Sequence, residues 1–302
     1  MIVVAGEALI DLLVQPDGRV TAVPGGGPFN TARTIARLGL GVAFLGRLSD
    51  DGFGRTLRGA LNADGVDLSL TESTSAPTTL AIADLDEAGG ATYRFHTAGT
   101  SAPGLSAPAV AAALATGPSA LHVGTLGLVL EPMAGAIADG VTTAAGSTLV
   151  MLDPNCRPPA IPERSSYLDR LAAVMRRADV VKVSTADLGY LSPDVPAITA
   201  ARMLLDQGPA VILVTDGSNP VTCLMSNLTF RVGVPVSDVV DTVGAGDSFG
   251  GAFLARWIER GFGRRELADD AALRDAVGHA IQVAVLTCGR QGADPPRRDE
   301  LW

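Results

Sequence analysis

The chain alternates between two kinds of segment almost from end to end. Apolar runs of strand length ("VAFLGRLS", "ALHVGT", "STLVMLD", "ADVVKVS", "AVILVTDG") are separated by stretches with helical periodicity. In "PFNTARTIARLG", Ala32, Ile35, Ala36 and Leu38 share a face and Gly39 supplies the stop. "DDGFGRTLRGALNADG" has an acidic start, which suits a helix dipole, and ends at Gly65. Residues 131–145, 165–177 and 197–207 continue the pattern, and "MIVVAGEAL" opens the chain as a first strand. Strands spaced by helices predict βαβ units, hence a parallel sheet with helices on its faces. The 302 residues suit one large α/β domain with an ample core, and 47% hydrophobic against 18% charged residues describes a globular chain.

Two places break the alternation. "LLVQPDGRVTAV" reads as strand, turn, strand, and "TTLAIADLDEAGGATYRFHT" as a hairpin turning across "DEAGG". Both flank the first helix. A small sheet projecting as a lid or an association surface, and two hairpins packed on the core, are equally open readings. "VTCLMSNLTFRVGV" predicts a further hairpin around Ser226–Asn227.

Several classes are excluded. A formal net charge of -9 argues against a general nucleic-acid footprint, although local amides or a metal ion can still receive an anion. The N-terminal run carries Glu7 and Asp11 and lacks a basic region, so it reads as a buried strand and not as a signal peptide. No run approaches the roughly 18 apolar residues of a membrane span. Cys156, Cys223 and Cys288 are far apart, which fits buried thiols in a reducing cytoplasm. The histidines are not spaced as helical metal ligands. Lys182 is the only lysine and follows no glycine loop, which removes the P-loop class.

"DTVGAGDSFGGAF" raises the central question. Its "GDSFG" fits a hydrolase nucleophile elbow at Ser248, with His279 downstream as the base. An elbow serine follows its strand at once, whereas the strand expected at "VPVSDVV" stops near Val240, several residues too early. The alternative is a glycine loop opening a helix that carries Phe249, Ala252, Phe253, Trp257 and Ile258. Unpaired N–H groups would then converge on an anion, with Asp247 at the mouth. There a carboxylate can take a proton from an attacking hydroxyl while the amides stabilise a phosphoryl group. An Asp at a helix start also commonly serves only as a cap.

A second cluster, "AVPGGGPFNTARTIARLG", precedes the first helix. The two clusters, in this order and spacing, resemble the two signatures of the ribokinase (PfkB) family of sugar kinases. The likeness extends through "GEALIDL", "GRLSDDGFG", "DPNCR", "KVSTAD", "VTDG" and "CGRQGADPP". It implies a three-layer αβα Rossmann-like fold, here a single domain over 1–302, with a β-sheet lid from strands at about 12–23 and 78–98. It also implies ATP-dependent phosphorylation of a sugar hydroxyl, with Mg²⁺ and K⁺; the chain is expected in the cytoplasm, and the lid could also serve as a surface through which two copies form a homodimer.

By the same resemblance Asp247 is the base, and the amides of Gly244, Ala245 and Gly246 form the anion hole. Asp11, Gly26, Gly27 and Asn30 would bind the sugar. A carboxylate at the carboxyl end of the first strand would face the crevice of such a sheet, which is how Asp11 is read. Nucleotide contacts are implied for Lys182, Ser184, Thr215, Gly217, Gly246 and His279, the last near the adenine pocket. The family's Asn-x-x-Glu motif reads Ser184-Thr-Ala-Asp187, so Asp187 would hold magnesium through water. Asp241 falls where relatives coordinate a monovalent cation.

"GEALIDL" and "DPNCR" are most similar to fructokinases and 2-keto-3-deoxygluconate kinases. Arg157 and Arg94 are candidate substrate contacts, and two arginines would suit an acidic sugar. A nucleoside would need aromatic stacking, for which the lid offers Tyr93 and Phe95, read as lying on opposite faces of their strand.

Overall fold

The computed structural model describes residues 1–86 and 90–301. The expected turn across "DEAGG" falls largely on 87–89, outside the described residues. The main sheet has eight strands. Its parallel part is β4 (Val42–Leu45), β1 (Ile2–Ala5), β9 (Ala120–Gly124), β10 (Leu149–Asp153), β11 (Val180–Ser184) and β12 (Val211–Asp216), in that spatial order. The hairpin β13 (Asn219–Leu224) and β14 (Thr229–Val232) continues it antiparallel beyond β12. The central strands β1, β9 and β10 are buried along their whole length, as expected of parallel strands covered on both faces.

Helices form the outer layers. α1 (Gly27–Arg37), α2 (Gly52–Asp64), α8 (Ala245–Glu259) and α9 (Asp270–Cys288) cover one face, where Phe29, Phe253 and Trp257 are fully buried. α4 (Met133–Thr143), α5 (Arg164–Met175) and α7 (Ala197–Leu205) cover the other, with α3 (Ala107–Ala115) and the short α6 (Thr185–Leu191). None of the described helices is long and apolar enough to cross a membrane.

A separate four-stranded sheet has the order β3 (Val20–Gly25), β2 (Leu9–Val14), β7 (Leu80–Leu85), β8 (Ala91–His96). Gly6 turns the chain between β1 and β2 with φ of 146°, so the opening run is two strands in two sheets. Asp11 therefore lies on the smaller sheet and not at the end of the first main strand. β5 (Arg47–Ser49) and β6 (Glu72–Thr74) pair apart from both sheets. One expected strand is absent among the described residues. "VPVSDVV" is irregular and exposed, because it carries Pro235 and has no strand beyond edge β14 to pair with.

β1 connects outward to β4 on one side, while the later strands extend from β9 on the other. The order reverses between β1 and β9, and a crevice opens at such a switch, outside the carboxyl ends of the strands. Glu7 follows β1, Thr125 follows β9, and Asn155 and Arg157 follow β10.

Candidate active site

A cavity of about 420 Å³ occupies that crevice. Its floor is Glu7, Thr125 and Asn155. One wall is Gly26, Gly27 and Asn30, another is Gly244, Gly246 and Asp247, and Leu9, Asp11, Tyr93 and Phe95 of the small sheet roof it.

Asp247 is held in the first turn of α8. That helix is buried around most of its circumference and wedged between α1 and α9, so its N-terminus is fixed in place. Gly244 caps it in the left-handed conformation (φ 77°), which a side chain rarely adopts. Among the described residues the N–H groups of Gly244, Gly246 and Asp247 have no acceptor in the chain, so three donors remain at one helix start. The Ala245 N–H instead donates to Thr242 O at 3.2 Å, so the expected anion hole shifts by one residue and includes the amide of Asp247.

Asn30 Nδ2 donates to Asp247 Oδ2 at 2.9 Å, while Asn30 Oδ1 is buried without a partner. Burial raises the Asp247 carboxyl above its ordinary value; the Asn30 bond and the charges of Lys182 and Arg157 oppose the rise. Asp11 is pushed up to about 6 by burial, with Arg157 opposing and Asp247 adding to the rise. The Arg157 guanidinium thus sits in the field of both carboxylates.

Lys182 lies beneath the loop. A side-chain carbon added at Gly246 would come within 2.8 Å of its Nζ, so the loop lies directly against the lysine head. It is buried and paired with Asp153 at 2.9 Å. Burial opposes its charge, yet Asp153, Asp187 and Asp247 together raise its pKa and keep it protonated.

The remaining expected residues sit elsewhere. Asp187 Oδ1 accepts from Cys156 N at 2.7 Å, and Oδ2 from Ser184 N and Oγ at 2.9 and 2.6 Å. Ser184 and Asp187 thus form a capping box on α6, and Asp187 is only 4% exposed. Both of its oxygens accept hydrogen bonds, from Cys156 and Ser184, an arrangement that does not suit a direct magnesium ligand. Asp241 takes Val243 N at 3.0 Å and Gly292 N at 2.9 Å, one donor per oxygen, and keeps lone pairs free beside the loop. Thr215 and Gly217 end β12 outside the cavity, with Thr215 Oγ1 donating to Val183 O at 3.3 Å.

His279 lies outside the cavity. Burial lowers its pKa in the surroundings of Arg256, Glu259, Asp275 and Arg298, toward the far end of α8. Ser248 is 1% exposed, with its hydroxyl unpartnered. The helix turns Asp247 to the cavity and Ser248 into the core, so the nucleophile-elbow reading fails. Arg94 pairs with Asp84 at 2.5 Å on the outside of the lid. Tyr93 and Phe95 both line the cavity, ring centroids 6.3 Å apart at 18°. Two residues apart on a strand means one face, so their expected opposition was mistaken and Arg94 is the one that points away.

Glu7, Thr125 and Asn155 were missed. The signal for Glu7 and Thr125 was their place just after β1 and β9. Asn155 adopts φ of 39°, rare for a side-chain-bearing residue, and "DPN" hinted at that turn.

A helix start with three free amides, a lysine behind it and a carboxylate hydrogen-bonded beside a cavity large enough for a small sugar fit a phosphotransferase acting on a small polyhydroxylated acceptor. The chain belongs to the pfkB family of carbohydrate kinases, whose sequence profile matches residues 1–300. It is 33% identical over 282 residues to a fructokinase of Rhizobium leguminosarum bv. trifolii, covering 91% of this chain and 86% of that one. Among solved structures it is similar to the Xylella fastidiosa fructokinase with bound ATP. The TM-score is 0.91 at 28% identity, covering 99% and 96% of the two chains. Aminoimidazole riboside kinase from Salmonella enterica follows the same fold, with a TM-score of 0.85 at 25% identity, covering 99% and 98%.

Proposed function

We propose that this carbohydrate kinase transfers the γ-phosphoryl group of ATP to a primary hydroxyl of fructose. The observation that carries the acceptor half is Asn30. Its amide N–H orients Asp247, and both residues line the cavity where an acceptor hydroxyl would stand. Asp247 accepts the proton of the attacking hydroxyl. The N–H groups of Gly244, Gly246 and Asp247, backed by Lys182, stabilise the charge on the transferring group. Arg157 approaches from the opposite wall. Magnesium bound with ATP supplies charge neutralisation on the phosphates, and K⁺ beside Asp241 would fix the loop that presents the amides.

The cavity disfavours an acidic sugar. It holds three carboxylates and, among the described residues, one cation, because Arg94 lies outside. A second reading is favoured by the Tyr93–Phe95 pair, which offers an aromatic face to a riboside. A coupled ADP-release screen over ketoses, keto-deoxy acids, pentoses and ribosides decides. We expect the highest kcat/KM on fructose; a riboside or a keto acid ahead of it would replace the assignment.

A further inference from the structure

Glu7 lines the cavity but takes part in no step above. It is 0% exposed, at the switch point between β1 and β9. Its Oε1 accepts from Gly27 N at 3.2 Å and its Oε2 from Gly127 N at 2.9 Å. Gly27 opens α1, the helix that carries Asn30 and through it orients Asp247. Gly127 belongs to the turn Thr125–Leu128, which brings Thr125 of the floor and Leu126 beside it to the cavity. Among the described residues no hydrogen bond joins these two segments directly.

We propose that Glu7 is a positioning residue whose carboxylate ties one wall of the sugar pocket to its floor and so sets where the acceptor hydroxyl stands relative to Asp247. This rests on the sugar-kinase reading of the site. Burying a carboxylate is costly, and burial pushes this one up to about 8, with the charge of Asp247 adding to the rise. Apolar packing could close the same gap without that cost. The N–H groups of Gly27 and Gly127, however, pull the pKa the other way, because each donates to one oxygen and the ionised form presents an acceptor at both ends of its fork. Glutamine has the same shape but one donor end, which would face a backbone N–H and release one side.

The test is Glu7→Gln, compared with the wild type on whichever sugar the wild type prefers in the screen. Failure of the fructose assignment and failure of the Glu7 role then give different results. We expect kcat/KM for the sugar to fall about ten-fold or more, mainly through the sugar KM. The KM for ATP should stay within about two-fold, because the nucleotide lies beyond the anion loop. Glu7→Asp keeps the charge and loses a methylene of reach, so it should show the same split; it carries the test alone should Glu7→Gln not fold. Wild-type kinetics per folded molecule, whatever the shift in Tm, would reduce Glu7 to a packing residue and overturn the proposal. So would an equal rise in both KM values.

Discussion

The two sides of the anion loop are built differently. On the acceptor side, side chains from the small sheet, α1, α8 and the segments after β1, β9 and β10 meet in one cavity, and Asn30 and Glu7 tie its lining together. On the side where nucleotide contacts were expected, Ser184 and Asp187 form a helix cap, Thr215 and Gly217 end a strand, and the 233–243 segment is irregular, with Val236, Val239, Val240 and Val243 exposed. The contrast teaches where selectivity resides. A sugar must be told from water and from other polyols, which needs fixed hydrogen-bonding groups. A phosphate group can be received through its charge, for which unpaired backbone amides at a helix start are suited.

The largest expected effect comes from the residue at the boundary. Asp247→Asn keeps the shape and the Asn30 contact but removes the proton acceptor. Turnover should fall by about two orders of magnitude or more, while both KM values change little, in a coupled ADP-release assay. Unchanged turnover would place the base elsewhere and dissolve the division at this loop.

Asp11→Asn tests the acceptor side alone and should be smaller. Losing a charge-assisted hydrogen bond to a sugar hydroxyl costs about ten- to a hundred-fold in kcat/KM, with the KM for ATP unaffected. In the wild type, kcat/KM for the sugar should rise with pH through about 6, as Asp11 ionises. Stability runs the other way. The folded-state pKa of Asp11 lies above its ordinary 3.8, so the native state binds the proton more tightly than the unfolded chain. Stability therefore falls as pH rises from about 4 to about 6, and at pH 7 the ionised form costs on the order of 3 kcal/mol. Asp11→Asn should raise Tm at pH 7.5, and the gain should fade below about pH 4. A gain of equal size at both pH values would mean that the site does not strain Asp11.

The same contrast explains what could be read from the sequence. The βαβ alternation and the glycine loop depend on local period and on residues that only particular backbones accept, so β9 to β12, α1, α2 and the start of α8 were legible. Asp247 and Asn30 were found because each sits beside such a glycine signal. Glu7 escaped because its role depends on Gly127, 120 positions away, and no local pattern encodes that pairing. "VPVSDVV" alternates like a strand, but a strand also needs a neighbour, and the sheet ends at β14. His279 and Asp187 were assigned by likeness of position, and the structure places both outside the cavity, Asp187 in a capping box on α6.

The smallest effect separates the two faces of the lid. Arg94 and Asp84 stand opposite the cavity, and their side chains are 64% and 38% exposed. An exposed pair contributes up to about 1 kcal/mol and less in salt. Tyr93 and Phe95, on either side of Arg94 along β8, face inward. Arg94→Ala should leave kcat, the sugar KM and the ATP KM within about two-fold, and Tm within a few degrees, because a surface side chain carries little of either. The strand's alternation makes the result diagnostic. If Arg94→Ala raised the sugar KM as strongly as Asp11→Asn does, β8 would have to be turned over by one residue in the working enzyme. Arg94 would then enter the cavity, the aromatic pair would leave it, and an acidic acceptor would again fit the site.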